Sequence, residues 1–96
     1  MKQPCVYIIT NRSNGTIYTG VTSDLARRIY QHKQKLVEGF SSKYELDKLV
    51  WYQTVATMEA AITEEKRIKG GSREAKLNLI RKMNPQWRDL YKDIIG

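Results

Sequence analysis

The chain has 96 residues, 41% of them hydrophobic and 28% charged, which suits one compact domain with a single modest core and no room for a second. Seventeen lysines and arginines against ten aspartates and glutamates give a formal net charge of +7, which favours a nucleic-acid partner over a charge kept only for solubility. The single cysteine and single histidine exclude an internal disulfide and a structural zinc site.

The predicted elements follow the order β-β-α-β-α-α-α. The first strand is rich in β-branched and aromatic residues, and Asn14–Gly15 marks the turn into the second. Asp24, Thr57 and Ser72 are typical helix N-caps. Strands are predicted over residues 5–11, 16–22 and 48–55, helices over 24–36, 58–69, 72–83 and 87–95, and a polar loop over 39–44. This order predicts an α+β domain over residues 1–96, with helices flanking a small central antiparallel sheet of about three strands.

The apolar runs of the sequence are too short for a membrane-spanning helix. A span needs roughly 20 apolar residues, and the N-terminal segment is not typical of a signal peptide. We therefore expect a cytoplasmic protein without a membrane partner.

Two tyrosines, Tyr7 and Tyr18, lie on the strands of the predicted hairpin. A two-residue turn at Asn14–Gly15 or a four-residue turn over 12–15 places them on one face of the sheet, whereas a three-residue loop separates them. Either tyrosine is also compatible with an ordinary core position. Gly20 has no side chain, so it would leave that face open beside Tyr18 and permit close approach of a ligand.

Polar residues occupy the apolar face of the first predicted helix. At 100° per residue, one stripe contains Leu25, Arg28, Ile29, His32 and Leu36, while Arg27 points the opposite way. An inward charge is costly unless it is paired or serves a site. The stripe is explained either by an arginine that extends to solvent beside a hydrogen-bonded core histidine, or by a polar cleft along its N-terminal half.

The second predicted helix carries a similar anomaly. Its apolar face consists of Met58, Ala61, Ile62 and Ile68. Glu65 lies near the centre of that face, whereas Glu64 points to the side. An i,i+4 ion pair between Glu65 and Lys69 would be ordinary, but it does not explain a carboxylate that faces the sheet. An inward carboxylate opposite an inward arginine suggests a metal ligand near a phosphate-binding group.

These residues together resemble the GIY-YIG nuclease superfamily, and more closely its small single-domain bacterial members. The matching segments are, in chain order, Val6-Tyr7-Ile8, Tyr18-Thr19-Gly20, Leu25 to Arg28, His32, Glu65 to Gly71 and Asn84 to Leu90. The resemblance covers nearly the whole chain. Cys5 and Thr19 replace a glycine and an isoleucine of the family pattern at backbone-packing positions.

The resemblance implies phosphodiester hydrolysis assisted by one divalent metal, Mg²⁺ or Mn²⁺. Tyr7 corresponds to the general base, and its pKa of about 10 would have to be lowered by the metal or by nearby cations. Tyr18 and His32 would hold the attacking water or the scissile phosphate. Arg28 corresponds to the catalytic arginine, and Glu65 to the metal-binding glutamate.

The leading hypothesis is a metal-dependent endonuclease acting on DNA, with RNA left open as a substrate. The alternative is a nucleic-acid-binding module whose nuclease site is idle, and a third is a structural or protein-interaction domain. Expected nucleic-acid contacts are Lys66, Lys69, Arg73 and Asn84, the last by its match to an asparagine near the family's site. No protein partner can be inferred, and we expect a monomer or a weak dimer.

Overall fold

A three-stranded antiparallel sheet forms the centre of the protein, which is described here by a computed structural model covering residues 2–96. The strands are β1 (Cys5–Thr10), β2 (Ile17–Thr22) and β3 (Lys48–Thr54), in the spatial order β2-β1-β3. The helices of the described residues are α1 (Leu25–Lys33), α2 (Phe40–Lys43), α3 (Met58–Lys69), α4 (Arg73–Met83) and α5 (Tyr91–Ile95). The predicted α+β class with a small antiparallel sheet is confirmed.

Strand β1 lies in the middle of the sheet and is buried along its whole length. Its side chains alternate between two apolar cores, because successive residues of a strand point to opposite faces. Val6 and Ile8 pack in a core with residues of α3 and α4, whereas Tyr7 and Ile9 face Ile29 of α1. Burial on both faces explains why the first strand reads as a continuous apolar run.

The hairpin between β1 and β2 closes with a four-residue turn. The backbone N–H of Gly15 donates to the Arg12 carbonyl at 2.9 Å, and Asn14 adopts the left-handed conformation with φ of 57°. In the resulting register Tyr7 pairs with Gly20, and Ile9 pairs with Tyr18. The hairpin therefore adopts one of the two turn lengths that were predicted to place both tyrosines on the same face.

Helix α1 ends at Lys33, so the prediction that it continues to residue 36 is wrong. Lys35 has a φ of 57°, and the N–H of Leu36 bonds to the Gln31 carbonyl while that of Lys35 bonds to the His32 carbonyl. This is a Schellman ending in which a lysine takes the place usually held by glycine. Leu36 lies beyond the helix and is 66% exposed, so it is not part of the apolar stripe.

Three other local predictions are corrected by the structure. The segment predicted as a polar loop contains the short helix α2, and the last helix begins at Tyr91 because Trp87 has a φ of 56°, outside the helical range. Ile62 is 38% exposed and so lies at the margin of the apolar face of α3 rather than within it. Within residues 2–96, none of the helices has the length and apolar character needed to cross a membrane.

Candidate active site on the face of the sheet covered by α1

Three of the predicted site residues meet on the face of the sheet covered by α1. The Tyr7 hydroxyl lies 3.0 Å from Nε2 of His32, and the two ring centroids are 5.8 Å apart. The Tyr18 ring centroid lies 6.4 Å from that of His32. Strand pairing places the tyrosines side by side, and the last turn of α1 brings the imidazole over them.

His32 is buried, and both of its ring nitrogens are engaged inside the protein. Nε2 faces the Tyr7 hydroxyl, and Nδ1 lies 3.1 Å from the hydroxyl oxygen of Ser41 on α2. Burial, assisted by the positive charge of Arg28, lowers the pKa of His32 to about 4. His32 is therefore held beside Tyr7 by contacts within the fold, and its contact with the attacking water or the phosphate stays a prediction.

Ser41 is the member of this group that sequence reasoning missed. It is 5% exposed and holds the second nitrogen of His32 across the loop that follows α1. Its segment was predicted to be a polar loop, and a serine in such a loop carries no signal for burial. Only the tertiary position of α2 reveals the contact.

Tyr7 is buried to 3% exposure, and its surroundings favour the neutral hydroxyl. Burial raises the pKa of Tyr7 well above its ordinary value of 10, and Arg28 opposes that shift. The nearby Tyr18 and Glu65 raise the pKa of Tyr7 further. The cation expected to lower the pKa of Tyr7 is present in Arg28, but it does not outweigh burial.

Gly20 does not leave an open space beside the tyrosines, so that prediction is wrong. A Cβ atom at Gly20 would lie 2.5 Å from both Cζ and the hydroxyl oxygen of Tyr7. The Tyr7 ring occupies the space above the glycine that directly faces it in the strand pair. Because residue 20 has no side chain, the space above it accommodates the Tyr7 ring rather than a ligand.

Arg28 is the arginine whose charge reaches the buried pair. It is half-buried, whereas Arg27 is exposed, and its charge acts on the pKa of both Tyr7 and His32. Both arginines nevertheless line a polar cavity of about 190 Å³ at the start of α1. The burial of Arg28 thus supports its predicted inward placement. Arg27 is exposed but lines the same cavity, so it does not point directly away from this region as predicted.

Glu65 lies on α3 with 16% of its side chain exposed. Its Oε2 atom is 3.3 Å from Nζ of Lys69, and the same ammonium group lies 5.2 Å from the centroid of the Tyr18 ring. Glu65 also acts electrostatically on Tyr7, as its effect on the pKa of that residue shows. The neighbouring Glu64 pairs with Arg67 instead, and this hydrogen bond lowers the pKa of Glu64.

The site offers a divalent cation one carboxylate, that of Glu65. The part of the chain that the structure describes contains no group of three or more histidine, cysteine, aspartate or glutamate side chains that could hold a metal ion. Mg²⁺ commonly keeps several waters and binds through one or two carboxylates together with substrate phosphates. A partly exposed Glu65 fits that mode of binding, with Lys69 as the cation that would have to move aside.

The four expected nucleic-acid contacts do not form one set. Lys66 is exposed on α3, and Lys69 lies beside Glu65. The Arg73 guanidinium donates to the Gly15 carbonyl at 2.7 Å and so ties α4 to the hairpin turn.

Asn84 is 4% exposed, and its side chain bonds only inside the fold. Its amide donates to the carbonyls of Val50 and Arg88, and its Oδ1 accepts from the Arg88 N–H. The bond to Val50 ties the turn after α4 to β3, and the two bonds with Arg88 close the turn itself. These bonds give Asn84 a structural role, and the nucleic-acid contact expected of it stays a prediction.

Comparison with known proteins agrees with the motifs and the fold. A family model described as the GIY-YIG catalytic domain matches residues 3–78. A UPF0213 protein of Aeromonas salmonicida is 34% identical over 85 residues, which cover 88% of this chain but only 60% of that protein. One from Syntrophus aciditrophicus is 33% identical over 87 residues, covering 90% of this chain and 98% of the relative.

A solved structure supports the same assignment. The solution NMR structure of a UPF0213 protein from Bacillus halodurans matches with a TM-score of 0.56 and 27% identity, over 94% of this chain and 95% of that one. Together with the family match over residues 3–78, this shows that the chain belongs to the GIY-YIG catalytic domain family, a family of nucleases.

Proposed function

We propose that this protein is a divalent-metal-dependent endonuclease that hydrolyses phosphodiester bonds in DNA. The observation that carries the proposal is the polar group on the face of the sheet covered by α1. A buried tyrosine and histidine are hydrogen-bonded to each other, and a half-buried arginine and a half-buried carboxylate both act on the pKa of the tyrosine. Such a group is costly to bury in a small core, and membership of a nuclease family gives it a use.

Tyr7 and His32 would act together on the attacking water. Because burial keeps Tyr7 protonated, it can take a proton from water only as its own hydroxyl proton passes to Nε2 of His32. The resulting hydroxide forms the new bond to phosphorus, and the leaving oxygen takes a proton from solvent. Ser41 would hold the imidazole in the tautomer that leaves Nε2 free to accept.

Arg28 would stabilise the negative charge that grows on the phosphoryl oxygens. Its guanidinium is permanently charged and close enough to affect both Tyr7 and His32. Preorganised positive charge at such a position typically contributes about 10²–10³ in rate. Arg27, one residue away but exposed, provides a matched control for bulk charge.

Glu65 would hold the divalent cation, Mg²⁺ or Mn²⁺. When bound, that cation supplies neutralisation of phosphate charge and a lower pKa for a coordinated water. Release of Glu65 from Lys69 would leave the ammonium group beside the Tyr18 ring, where it is available to a phosphate.

One pair of observations favours the second candidate, a nucleic-acid-binding module with an idle site. The pKa of Tyr7 is raised rather than lowered, and Lys69 already neutralises Glu65. Both features suit a site that binds a phosphate without attacking it. The two candidates share the basic surface, so binding alone does not separate them.

Nicking of supercoiled plasmid, with Mg²⁺ or Mn²⁺ and with excess EDTA, tests the proposal. We expect metal-dependent nicking that is lost in Glu65→Ala and retained in Glu64→Ala, with circular dichroism showing both variants folded. Filter binding in EDTA supplies the second readout. Tight DNA binding by all three proteins without any metal-dependent nicking would reject the nuclease in favour of the binding module.

A further inference from the structure

A row of three neighbouring aromatic rings leads from the candidate site out to solvent. The Tyr18 and Phe40 rings are stacked, with centroids 6.2 Å apart and planes inclined by 27°. Phe40 in turn contacts Tyr44, with centroids 4.7 Å apart and planes at 45°. We call Tyr18, Phe40 and Tyr44 the aromatic row; its first member adjoins His32, and its other two belong to α2 and the residue that follows it.

The outer rings of the row are open to solvent. Phe40 is 48% exposed and Tyr44 is 42% exposed, although the sheet nearby buries most large apolar side chains. Phe40 is the only phenylalanine of the chain. Adjacent exposed aromatic side chains are common at binding surfaces, because a partner that removes the rings from water stabilises the complex.

Ammonium groups accompany the rings. Nζ of Lys43 lies 5.6 Å from the centroid of Tyr44, and Nζ of Lys69 lies 5.2 Å from that of Tyr18. Exposed aromatic rings beside cations are typical of surfaces that bind single-stranded nucleic acid, in which bases stack on rings while phosphates meet positive charge. A purely apolar protein partner would gain nothing from the two lysines. In a duplex the base faces are already stacked on each other and are unavailable except at ends.

We propose that the aromatic row stacks unpaired bases of a nucleic-acid strand whose backbone passes the candidate site. The substrate class is then DNA or RNA with unpaired nucleotides beside the phosphate at that site, such as a single strand, a flap or a frayed end. Stacking on a ring tolerates any base, so the row would select strand structure rather than sequence. The position of the bases relative to a cleaved bond rests on the proposed function, whereas the stacking itself does not.

Phe40→Trp gives a direct optical readout of stacking. The natural tryptophans, Trp51 and Trp87, are at most 9% exposed, so an indole at residue 40 would report on the row alone. Titration with a ten-nucleotide oligothymidylate in EDTA should quench that fluorescence in Phe40→Trp and leave the unsubstituted protein nearly unchanged. Absence of quenching at concentrations where fluorescence anisotropy shows the oligonucleotide bound would overturn the proposal.

Alanine substitutions separate stacking from charge. Phe40→Ala and Tyr44→Ala should each weaken oligonucleotide binding by about ten-fold. The dependence on salt should stay unchanged, because no phosphate contact is lost. Tyr30→Ala is the matched control, since Tyr30 is 50% exposed on α1 and lies outside the row. It should bind like the unsubstituted protein.

The partner class is read from two further measurements. Relaxed, covalently closed circular DNA, which has neither ends nor unpaired loops, should bind Phe40→Ala and the unsubstituted protein equally; an equal loss for this duplex and for the single strand would overturn the proposal. Analytical ultracentrifugation of both proteins tests the other occupant, because a dimer that dissociates on Phe40→Ala would make the row a contact between copies of this chain. All binding is measured in EDTA, so these results do not depend on cleavage. If the protein stacks unpaired bases but shows no metal-dependent nicking, the proposed function is rejected and this inference stands.

Discussion

Because the chain has one histidine, the burial of His32 can be measured as a dependence of the folding stability on pH. Folding lowers the pKa of His32 from 6.5 to about 4, chiefly because burial disfavours the imidazolium. Between these values the unfolded chain binds a proton that the folded chain does not, so stability is full above pH 6.5 and falls as the pH drops towards 4. At 1.36 kcal/mol per pKa unit the whole effect is roughly 3 kcal/mol, of which about 2 kcal/mol is lost between pH 7 and pH 5.

Urea unfolding monitored by circular dichroism from pH 8 to pH 4.5 measures this loss. The control is His32→Gln, which removes the titrating group and keeps a polar side chain beside Tyr7 and Ser41. The variant should be less stable at pH 8, because it loses the fitted imidazole, but its stability should fall much less between pH 7 and pH 5. Carboxylates titrate in both proteins, so the difference between the two curves isolates His32.

Proton NMR of the imidazole gives the pKa itself, since no other histidine overlaps its signals. The ring resonances should remain at their neutral positions down to about pH 5. A titration midpoint near 6.5, or parallel stability curves for the two proteins, would refute the neutral buried His32 and with it the proton path from Tyr7.

Three further changes test other parts of the structure. Gly20→Ala should destabilise the fold by about 1–3 kcal/mol in urea unfolding and abolish nicking, because the new Cβ displaces the Tyr7 ring; full activity would contradict that seating. Asn84→Ala should lower the free energy of unfolding by about 1–3 kcal/mol through the unpaired carbonyl of Val50, with DNA binding unchanged; weakened binding at equal stability would restore Asn84 as a contact. If about four phosphates are neutralised, log K for a duplex should fall with log salt at a slope near −3.6, and Lys66→Ala should reduce that slope by about 0.9; an unaltered slope would remove Lys66 from the interface.

The periodicity of apolar residues along the helices and strands predicts most of the fold and the outline of the site. The inward placement of Arg28 and Glu65 follows from helical spacing, and the shared face of Tyr7 and Tyr18 follows from strand alternation once the turn length is known. These features depend on positions within one element or one hairpin. They are therefore readable from the sequence.

The features that could not be read depend on contacts between distant segments. Helix α1 ends early because Lys35 adopts a conformation usually reserved for glycine, and α2 is too short to show a period. The bond from His32 to Ser41 and the direction of the pKa shift of Tyr7 arise from burial by the assembled fold. No local pattern reports burial of that kind.

The catalytic site is tested most directly by comparing two adjacent arginines in the rate of plasmid nicking. Arg28→Ala and Arg27→Ala remove the same charge from the same helix, so their effects on non-specific DNA binding should be similar. With saturating protein and Mg²⁺, we expect a single-turnover rate about 10²–10³ lower for Arg28→Ala, against a change of only a few-fold for Arg27→Ala. Equal rates for the two variants, with both folded and bound to DNA, would contradict a catalytic site around Tyr7 and His32.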